Sequence, residues 1–294
     1  MANPVQNTDS KRFRALWCLH GAVLLFGLSG VLGKLTAALA VQVTFVRAAL
    51  AAIVLGLSLA ILRKRFHAPN TLMIVSGLLL AVHWWTFFQA IKTSSVGVGL
   101  LSFASFPVFM VLLAPLNGVG CWRKYDLMLA GIAAIGVAVL TPSFDPRSNV
   151  LQGIGWGVFS ALLFAELSLL NRRLALRFDA IQIGCLQNGI AALALAAWAV
   201  RGLDHLHFSD WMILLVLGVF CTALAHLWFI RATIAVSPTQ IGTTVALEPV
   251  YGIVFAMMLL HEQLILRMFL GGALILTAAL AVMLDRRGHE CASK

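Results

Sequence analysis

The stretch VALEPVYGIVFAMMLLHEQ, from Val245 to Gln263, places a carboxylate directly before a proline in an otherwise apolar run. Pro249 lacks a backbone N–H and leaves a carbonyl without a donor about one turn earlier. Glu248 would be costly if it faced lipid, whereas a protein surface in water would accept it readily. The solvent around this run therefore decides the fold, and the composition of the chain identifies that solvent.

The composition indicates that the solvent is lipid. Of the 294 residues, 61% are hydrophobic and 11% are charged, and the mean hydropathy is +0.95. A soluble domain carries about 25% charged residues, so this chain has too few to cover a globule with polar surface. The net charge of +10 does not indicate a nucleic-acid partner, because the charges lie in short segments between apolar runs.

Neither a metal site nor a cofactor is predicted. The cysteines are odd in number, widely separated and without a C-x-x-C motif, so they indicate no disulfide framework or zinc site. They are Cys18, Cys121, Cys185, Cys221 and Cys291. His205 and His207 form an H-x-H motif without further ligands nearby, and we interpret them as loop residues. No nucleophile–base pair points to an enzyme, and no carbonyl filter or ring of charges points to a channel.

Ten apolar runs are long enough to cross a bilayer, whose core of about 30 Å needs about 20 helical residues. Charged or turn-forming segments such as RKRFHAPN and TPSFDPRSN separate them. The predicted spans are 14–33, 38–62, 71–91, 96–117, 125–142, 152–171, 181–200, 210–230, 239–260 and 267–284. We therefore predict an all-α integral membrane protein of ten transmembrane helices, with tails at 1–13 and 286–294.

Lysine and arginine are distributed unequally between the two sides of this bundle. With a cytoplasmic N-terminus, fifteen of the 21 lie on the cytoplasmic side and five on the other, while Arg47 lies within a span. This bias predicts an even number of spans and cytoplasmic termini. We expect the membrane to be a bacterial inner membrane. Cleavage of the first run as a signal peptide at Ala38–Ala40 is the alternative. It would leave nine spans, and the run is longer than the usual apolar core.

The second half of the sequence repeats features of the first. HWWTFFQAIKTSSVGVGLLSFASFPVFMVLLAP begins at His83, and HLWFIRATIAVSPTQIGTTVALEPVYGIVFAMMLL begins at His226. Pro107 and Pro249 align between them at an offset of 142 residues. The two predicted units are 14–142 and 152–285. Each unit has five spans, an odd number, so the two units cross the membrane in opposite directions. This topology is typical of secondary transporters, whose substrate site lies near the middle of the membrane on broken helices.

Three ionisable residues lie within predicted spans, where such residues are functional candidates. Arg47 either binds a substrate carboxylate or caps backbone carbonyls. Glu166 lies near the cytoplasmic end of its span, and we expect it to pair with an interfacial arginine. Glu248 lies deepest, so it should face the bundle interior, either protonated or paired.

Further candidates are aromatic or polar. A buried histidine either relays protons or bonds to a neighbouring helix, and deep tryptophans are suited to an aromatic cavity. Gln187 and Thr244 face either the cavity or a neighbouring helix. The candidate substrate-binding set is Arg47, His83, Trp84, Trp85, Gln187, His226, Trp228, Thr244 and Glu248, with Pro107 and Pro249 as hinges.

The segment ALAHLWFIRATIAVSPTQIGTTVALEPVYGIVFAMMLLHEQLILRMFLGGALILTAAL resembles the second EamA-type domain of the drug/metabolite transporter superfamily. The elements that carry the resemblance are E-P-V at Glu248–Val250 and E-x-L from Glu262 to Leu264. The first half is similar but weaker. There VTFVRAAL matches the family's F-x-R element through Arg47, and Phe106–Pro107 replaces the E-P pair.

The resemblance implies an inverted five-plus-five repeat in which spans 1–4 and 6–9 surround a central cavity. It also implies export of small metabolites, and the chain most resembles the YddG-like exporters of aromatic and other amino acids. We therefore expect amino-acid export by alternating access, with no enzymatic activity. The alternative is efflux of cationic drugs or other metabolites, with Glu248 as the cation partner. Spans 5 and 10 lie outside the cavity and are the candidate surface for a homodimer.

Overall fold

The computed structural model describes residues 4–118, 122–141, 145–235 and 244–284, with side chains from 14 to 232 and from 244 to 281 within these ranges. All regular secondary structure in this part of the chain is helical. The α-helices are α1 Pro4–Leu35, α2 Ala40–Ile61, α3 Thr71–Thr93, α4 Val96–Phe103, α5 Phe106–Leu113, α6 Lys124–Leu140, α7 Asn149–Ala175, α8 Ala180–Ala199, α9 Phe208–Gly218, α10 Ala225–Ala235, α11 Glu248–Leu260 and α12 Leu266–Leu284. A π-helix, Val219–Leu224, joins α9 to α10.

The helices have the length and surface of membrane spans. Seven helical segments of the described chain have at least 18 residues and are apolar enough to cross a membrane, and Glu248–Leu260 and Leu266–Ala281 are shorter apolar helices. Large apolar side chains such as Ile53, Leu57 and Leu193 are more than half exposed. Such a surface suits lipid rather than water. The predicted class, an all-helical multi-pass membrane protein, is confirmed.

Helix ends mostly lie within a few residues of the predicted spans. α1 differs, because it begins at Pro4 and so includes most of the predicted N-terminal tail. Its first turns, through QNTDSKRFR, are too polar for the membrane core. The predicted C-terminal tail, 286–294, lies outside the described residues.

Two predicted spans are broken rather than continuous. Span 96–117 divides at a two-residue turn, and α5 then begins at Phe106 with Pro107 in its first turn. Span 239–260 divides in the same way, and α11 begins at Glu248 with Pro249 in its first turn. A proline in the first turn removes a donor that has no partner within the helix. The carboxylate of Glu248 also lies at the positive end of the α11 dipole, which explains why it precedes a proline.

A third irregularity lies in the predicted span 210–230. There the π-helix accommodates one extra residue per turn, and the Thr222 hydroxyl donates to the Leu217 carbonyl at 2.7 Å. Single π-turns within α-helices are frequently found at functional sites. This π-helix faces Arg47 of α2.

Helix pairs bring the two halves of the chain together. α2 packs on α8, α3 on α7, α6 on α12, and α1 on both α10 and α11. Glycines allow the closest contacts. A Cβ atom at Gly27 would lie 2.8 Å from the Gly252 nitrogen, and one at Gly157 would lie 2.0 Å from the Ser102 hydroxyl. Gly27 of the GLSGVLG stretch and Gly157 of the GIGWG stretch therefore serve close helix packing.

Candidate functional site

A central cavity of about 40 Å³ lies among α1, α2, α3, α4, α7, α10 and α11. This volume has room for a few water molecules. Its walls are mainly aromatic, namely Phe26, Trp84, Phe87, Phe103, Phe164 and Phe229. Arg47, His83, Asn171, His226 and Glu248 add polar groups. The cavity is therefore a small apolar chamber with a few polar groups, the usual character of a small-molecule site.

Arg47 is the only arginine on the cavity wall among the described residues, and it is 1% exposed. Its Nε donates to the Thr222 hydroxyl at 2.8 Å, and its Nη2 donates to the Cys221 carbonyl at 3.3 Å. The guanidinium lies 4.1 Å from the centre of the Trp84 ring. These contacts leave other N–H groups of the guanidinium available to a ligand, because arginine has five donors.

Glu248 lines the same cavity from the start of α11 and is 5% exposed. It interacts electrostatically with Arg47 across the cavity. No ion pair within 4.0 Å joins the two side chains, and no described residue makes a hydrogen bond to the Glu248 carboxylate. The cavity thus holds a guanidinium and a carboxyl group that are not in contact.

The two histidines of the cavity differ in their partners. His83 Nδ1 lies 2.8 Å from the Ser160 hydroxyl and 3.1 Å from the Ser160 carbonyl, and its ring stacks on Phe164 at 4.9 Å. The bond to α7 therefore holds His83 in place. His226 Nε2 is buried and has no hydrogen-bond partner among the described residues. Its ring meets Trp84 edge-on at 6.2 Å.

The comparisons with known proteins agree with this arrangement. Residues 151–284 match the EamA-like transporter family. The chain contains an EamA-like transporter domain. The predicted resemblance of the second half to an EamA-type domain is confirmed, and the matched family is one of transporters. No curated protein matches the sequence.

The fold of this protein is also found among solved structures, of which 28 chains match. One of them, a crystal structure of a protein of unstated function, has a TM-score of 0.63 and is 18% identical in sequence. The match covers 94% of this chain and 99% of the other. At this identity the likeness shows the fold alone, and it extends over both halves of the chain.

Four of the nine candidate residues do not line the cavity. Trp85 packs against Trp156 at 5.8 Å. Trp228 covers Gly21 of α1, where an added Cβ would lie 2.8 Å from its ring. Thr244 is buried outside the cavity wall. Gln187 also lies behind the wall and contacts it through Asn171.

A helical pattern identifies the wall residues that the sequence analysis missed. On α3 the wall residues are Leu80, His83, Trp84 and Phe87, a spacing of three and four residues that defines one helix face. Trp85 is one position past Trp84 and so points about 100° away. On α10 the same rule selects Phe229, three residues after His226, and rejects Trp228.

One end of the helix bundle is closed by bonds between the two halves. The Glu262 carboxylate accepts hydrogen bonds from the Val96 and Gly97 N–H groups at the start of α4, at 2.9 and 3.1 Å. Asp210 accepts from the Ala37 N–H at 2.7 Å and from the Thr36 hydroxyl at 2.9 Å. By the distribution of lysine and arginine, this is the predicted non-cytoplasmic end.

Lysines add to the closure of this end within the first half. Lys34 Nζ donates to the Ile91 and Ser94 carbonyls at 2.8 and 2.7 Å. Lys92 Nζ donates to the Thr36 carbonyl at 2.6 Å. These bonds join the end of α1 to the end of α3, so both helix ends are held together.

The opposite end has more exposed contacts. Lys64 and Asp179 form an ion pair at 2.5 Å, with 35% and 42% of their side chains exposed. Glu166, expected to pair with an arginine, instead accepts a hydrogen bond from Asn117 Nδ2 at 3.0 Å. Arg173 donates to the Asn117 carbonyl, so the arginine reaches this carboxylate only indirectly.

Proposed function

We propose that the protein exports amino acids, including aromatic ones, by alternating access, as YddG-like exporters do. The observation that carries the proposal is the presence of Arg47 and Glu248 on one aromatic cavity without contact between them. A free amino acid carries a carboxylate and an ammonium group. Arg47 would bind the carboxylate and Glu248 the ammonium, while the aromatic wall would contact the side chain.

The proposed architecture is ten spans in an inverted five-plus-five repeat. Exchange of the two halves turns the pairing of α1 with α10 and α11 into the pairing of α7 with α3 and α5, and these packings occur as well. The same exchange leaves α2 paired with α8 and α6 paired with α12. The matching breaks before Phe106–Pro107 and Glu248–Pro249 further support a repeat.

The proposed transport cycle uses these breaks as hinges. The cavity of about 40 Å³ is smaller than an amino acid, so binding requires one end of the bundle to widen. The short helices α5 and α11, which have Pro107 and Pro249 in their first turns, have no continuous hydrogen-bonded backbone across the membrane. They can tilt separately from α4 and from the residues before Glu248. With a cytoplasmic N-terminus in a bacterial inner membrane, the Glu262 end faces outward, and export ends when it opens.

Efflux of cationic drugs is the second candidate, with Glu248 as the cation partner. The unpartnered carboxylate and the aromatic wall favour it. Arg47 argues against it, because its guanidinium already lies over Trp84 and would repel a second cation in so small a cavity. A zwitterion offers each charge a partner, which is why we prefer amino acids.

The helices α6 and α12 form the proposed dimer surface. They pack mainly on each other, and residues such as Leu127, Met128, Phe269 and Leu270 remain largely exposed. This surface would serve either contact with a second copy or contact with lipid. Cross-linking of a cysteine introduced at Met128 in native membranes would distinguish the two.

Counterflow in liposomes tests the proposed function. Purified protein is reconstituted into vesicles loaded with unlabelled phenylalanine, tryptophan, threonine or methionine, and uptake of the labelled compound is measured. We expect uptake for wild type and none for empty liposomes. E248Q should weaken amino-acid counterflow, whereas abolition of cation efflux with unchanged amino-acid counterflow would favour the second candidate. No uptake of any of the four would refute the proposal.

A further inference from the structure

A short chain of hydrogen bonds fixes the orientation of one amide on the cavity wall. The Ser76 hydroxyl donates its single proton to the Met73 carbonyl at 2.8 Å. Ser76 must therefore accept at its 2.9 Å contact with Gln187, which identifies the nitrogen of the Gln187 amide as the donor. Ser76 and Gln187 are both fully buried. Their packing holds the Gln187 amide in this orientation.

The same nitrogen of Gln187 donates to Asn171 Oδ1 at 2.5 Å. The oxygen of the Asn171 amide is thus bonded to α8, which leaves its Nδ2 as the free polar group of the side chain. Asn171 lines the central cavity, and its Nδ2 makes no hydrogen bond to a described residue. Two residues behind the wall therefore leave Asn171 with a hydrogen-bond donor that is available to a ligand in the cavity.

Asn171 lies at the other end of the cavity from Arg47. The Lys64–Asp179 pair places the end of α2 beside the loop that joins α7 to α8. Arg47 lies 14 residues before the end of α2, whereas Asn171 lies four residues before the end of α7. At 1.5 Å per residue the two side chains are separated by about 15 Å along the bundle. The aromatic wall lies between them, and the unpartnered His226 Nε2 shares the cavity with Asn171.

We propose that Asn171 is a specificity-determining residue that donates a hydrogen bond to an uncharged acceptor at the far end of the substrate, and that Gln187 positions it. The inference rests on the proposed function, in which Arg47 and Glu248 hold the charged end. The site then selects zwitterions whose aromatic side chain ends in an oxygen acceptor. Among amino acids, a para-oxygenated ring such as that of tyrosine has this chemistry.

Competition in counterflow tests the proposal with tyrosine, O-methyltyrosine and phenylalanine. Tyrosine oxygen can donate or accept, O-methyltyrosine oxygen can only accept, and phenylalanine can do neither. Wild type should bind tyrosine and O-methyltyrosine about tenfold more tightly than phenylalanine, the effect of one hydrogen bond of about 1.4 kcal/mol. N171L should bind all three with equal affinity, and a thermal unfolding midpoint in detergent close to that of wild type would show that the variant is folded.

N171D replaces the hydrogen-bond donor at the cavity wall with an acceptor. The new carboxylate still accepts from Gln187, but it can only accept toward the cavity. N171D should therefore still bind tyrosine more tightly than phenylalanine, because the tyrosine hydroxyl can donate. It should no longer bind O-methyltyrosine more tightly than phenylalanine. Q187L should reduce the preference for tyrosine and O-methyltyrosine over phenylalanine without loss of phenylalanine counterflow. N149L, at the exposed start of α7, should behave as wild type.

The outcomes separate the two proposals. Phenylalanine counterflow without any preference in wild type, or an unchanged preference in N171L and N171D, would overturn the role of Asn171 alone. Absence of counterflow for all three compounds in wild type would overturn the proposed function and this inference with it.

Discussion

The guanidinium of Arg47 lies 4.1 Å from the centre of the Trp84 ring and 5.0 Å from that of Phe88. A desolvated cation over an aromatic face gains about 2 kcal/mol, so the two rings hold the arginine on the cavity wall. The planar group also bonds to Thr222 through its edge. The position of the guanidinium thus depends on its planar shape as well as on its positive charge.

Arg47→Lys should weaken amino-acid counterflow at least tenfold, although it keeps the charge. Lysine has no planar group to stack on Trp84 and cannot bind a carboxylate with two parallel hydrogen bonds. The measurement is the substrate concentration for half-maximal counterflow. Arg63→Lys, at an exposed loop position, should be unchanged. Wild-type behaviour of Arg47→Lys would mean that the arginine does not bind substrate.

Thr222→Val should reduce transport, whereas Thr222→Ser should leave it near wild type. The hydroxyl accepts from Arg47 Nε and donates to the Leu217 carbonyl. Valine has nearly the same shape as threonine, but it can neither accept from Arg47 Nε nor donate to the Leu217 carbonyl. A buried donor without a partner costs about 1–3 kcal/mol. Counterflow and thermal unfolding in detergent should both show the difference. Equal loss in the serine variant would contradict this account, because serine keeps both bonds.

The sequence predicted the membrane class of the chain and pointed to two ionisable side chains that line the cavity. A long apolar run is recognised by its length alone, since about 20 consecutive apolar residues suffice to identify a membrane-spanning helix. Arg47 and Glu248 were found for a similar reason, because ionisable groups are rare in apolar runs and must avoid lipid. Both lie on the cavity wall.

The sequence did not reveal which face of each helix lines the cavity. Trp84 and Trp85 are adjacent and identical in type, and only packing against α7 and α2 separates their roles. Asn171 was missed because nothing in its sequence neighbourhood shows that Gln187 will fix its amide. Such contacts join residues that are distant in sequence, so they follow from the packed bundle rather than from a local pattern.

Glu262→Gln should make the non-cytoplasmic end of the cavity easier to open. The carboxylate accepts from two N–H groups at the start of α4, and glutamine has only one oxygen to offer them. A bond to a charged acceptor is worth about 1.5–3 kcal/mol, so the open state should gain population. A cysteine at Ser29, on the cavity wall, should react faster with a membrane-impermeant maleimide added from outside.

The matched control for this variant is Gln263→Ala, at the exposed neighbouring position. It should leave the labelling rate unchanged. If Glu262→Gln is labelled no faster than wild type, Glu262 does not hold this end closed. Labelling that is faster from the cytoplasmic side would instead contradict the proposed orientation.

Asp179→Asn should lower stability slightly at neutral pH and have no effect in acid. Partial burial raises the pKa of the Asp179 carboxyl, but hydrogen bonds from Lys64 and the Ile181 N–H outweigh it and leave the pKa below its ordinary value. A lowered folded-state pKa stabilises the protein above the unfolded pKa of about 4. That contribution is lost as the pH falls through the folded-state pKa.

The expected difference for Asp179→Asn is at most about 1 kcal/mol, because exposed ion pairs contribute little. Asparagine still caps α8, so the variant tests the charge rather than the cap. Thermal unfolding in detergent at pH 7 and below pH 4 measures it, with exposed Asp204→Asn as the control. A difference that persists in acid would show that the carboxylate charge is not its cause.

Gly136→Ala should destabilise the pairing of α6 with α12. A Cβ at this position would lie 2.9 Å from the Gly271 carbonyl oxygen and 2.8 Å from Ile275 Cγ1. The backbones must separate to admit it, and overpacking of this kind costs about 1–3 kcal/mol. Gly131 lies on the same helix with nothing within 4 Å of an added Cβ. Gly131→Ala should therefore match or slightly exceed wild-type stability, because alanine favours the helix by up to about 1 kcal/mol.

Thermal unfolding of the two alanine variants separates packing from helix propensity. Both substitutions change propensity in the same direction, and only Gly136→Ala meets the backbone of Gly271. A lower midpoint for Gly136→Ala alone is expected, with counterflow retained below that midpoint because neither glycine lines the cavity. Equal midpoints for the two variants would mean that α6 and α12 do not approach as closely as the contact between Gly136 and Gly271 requires.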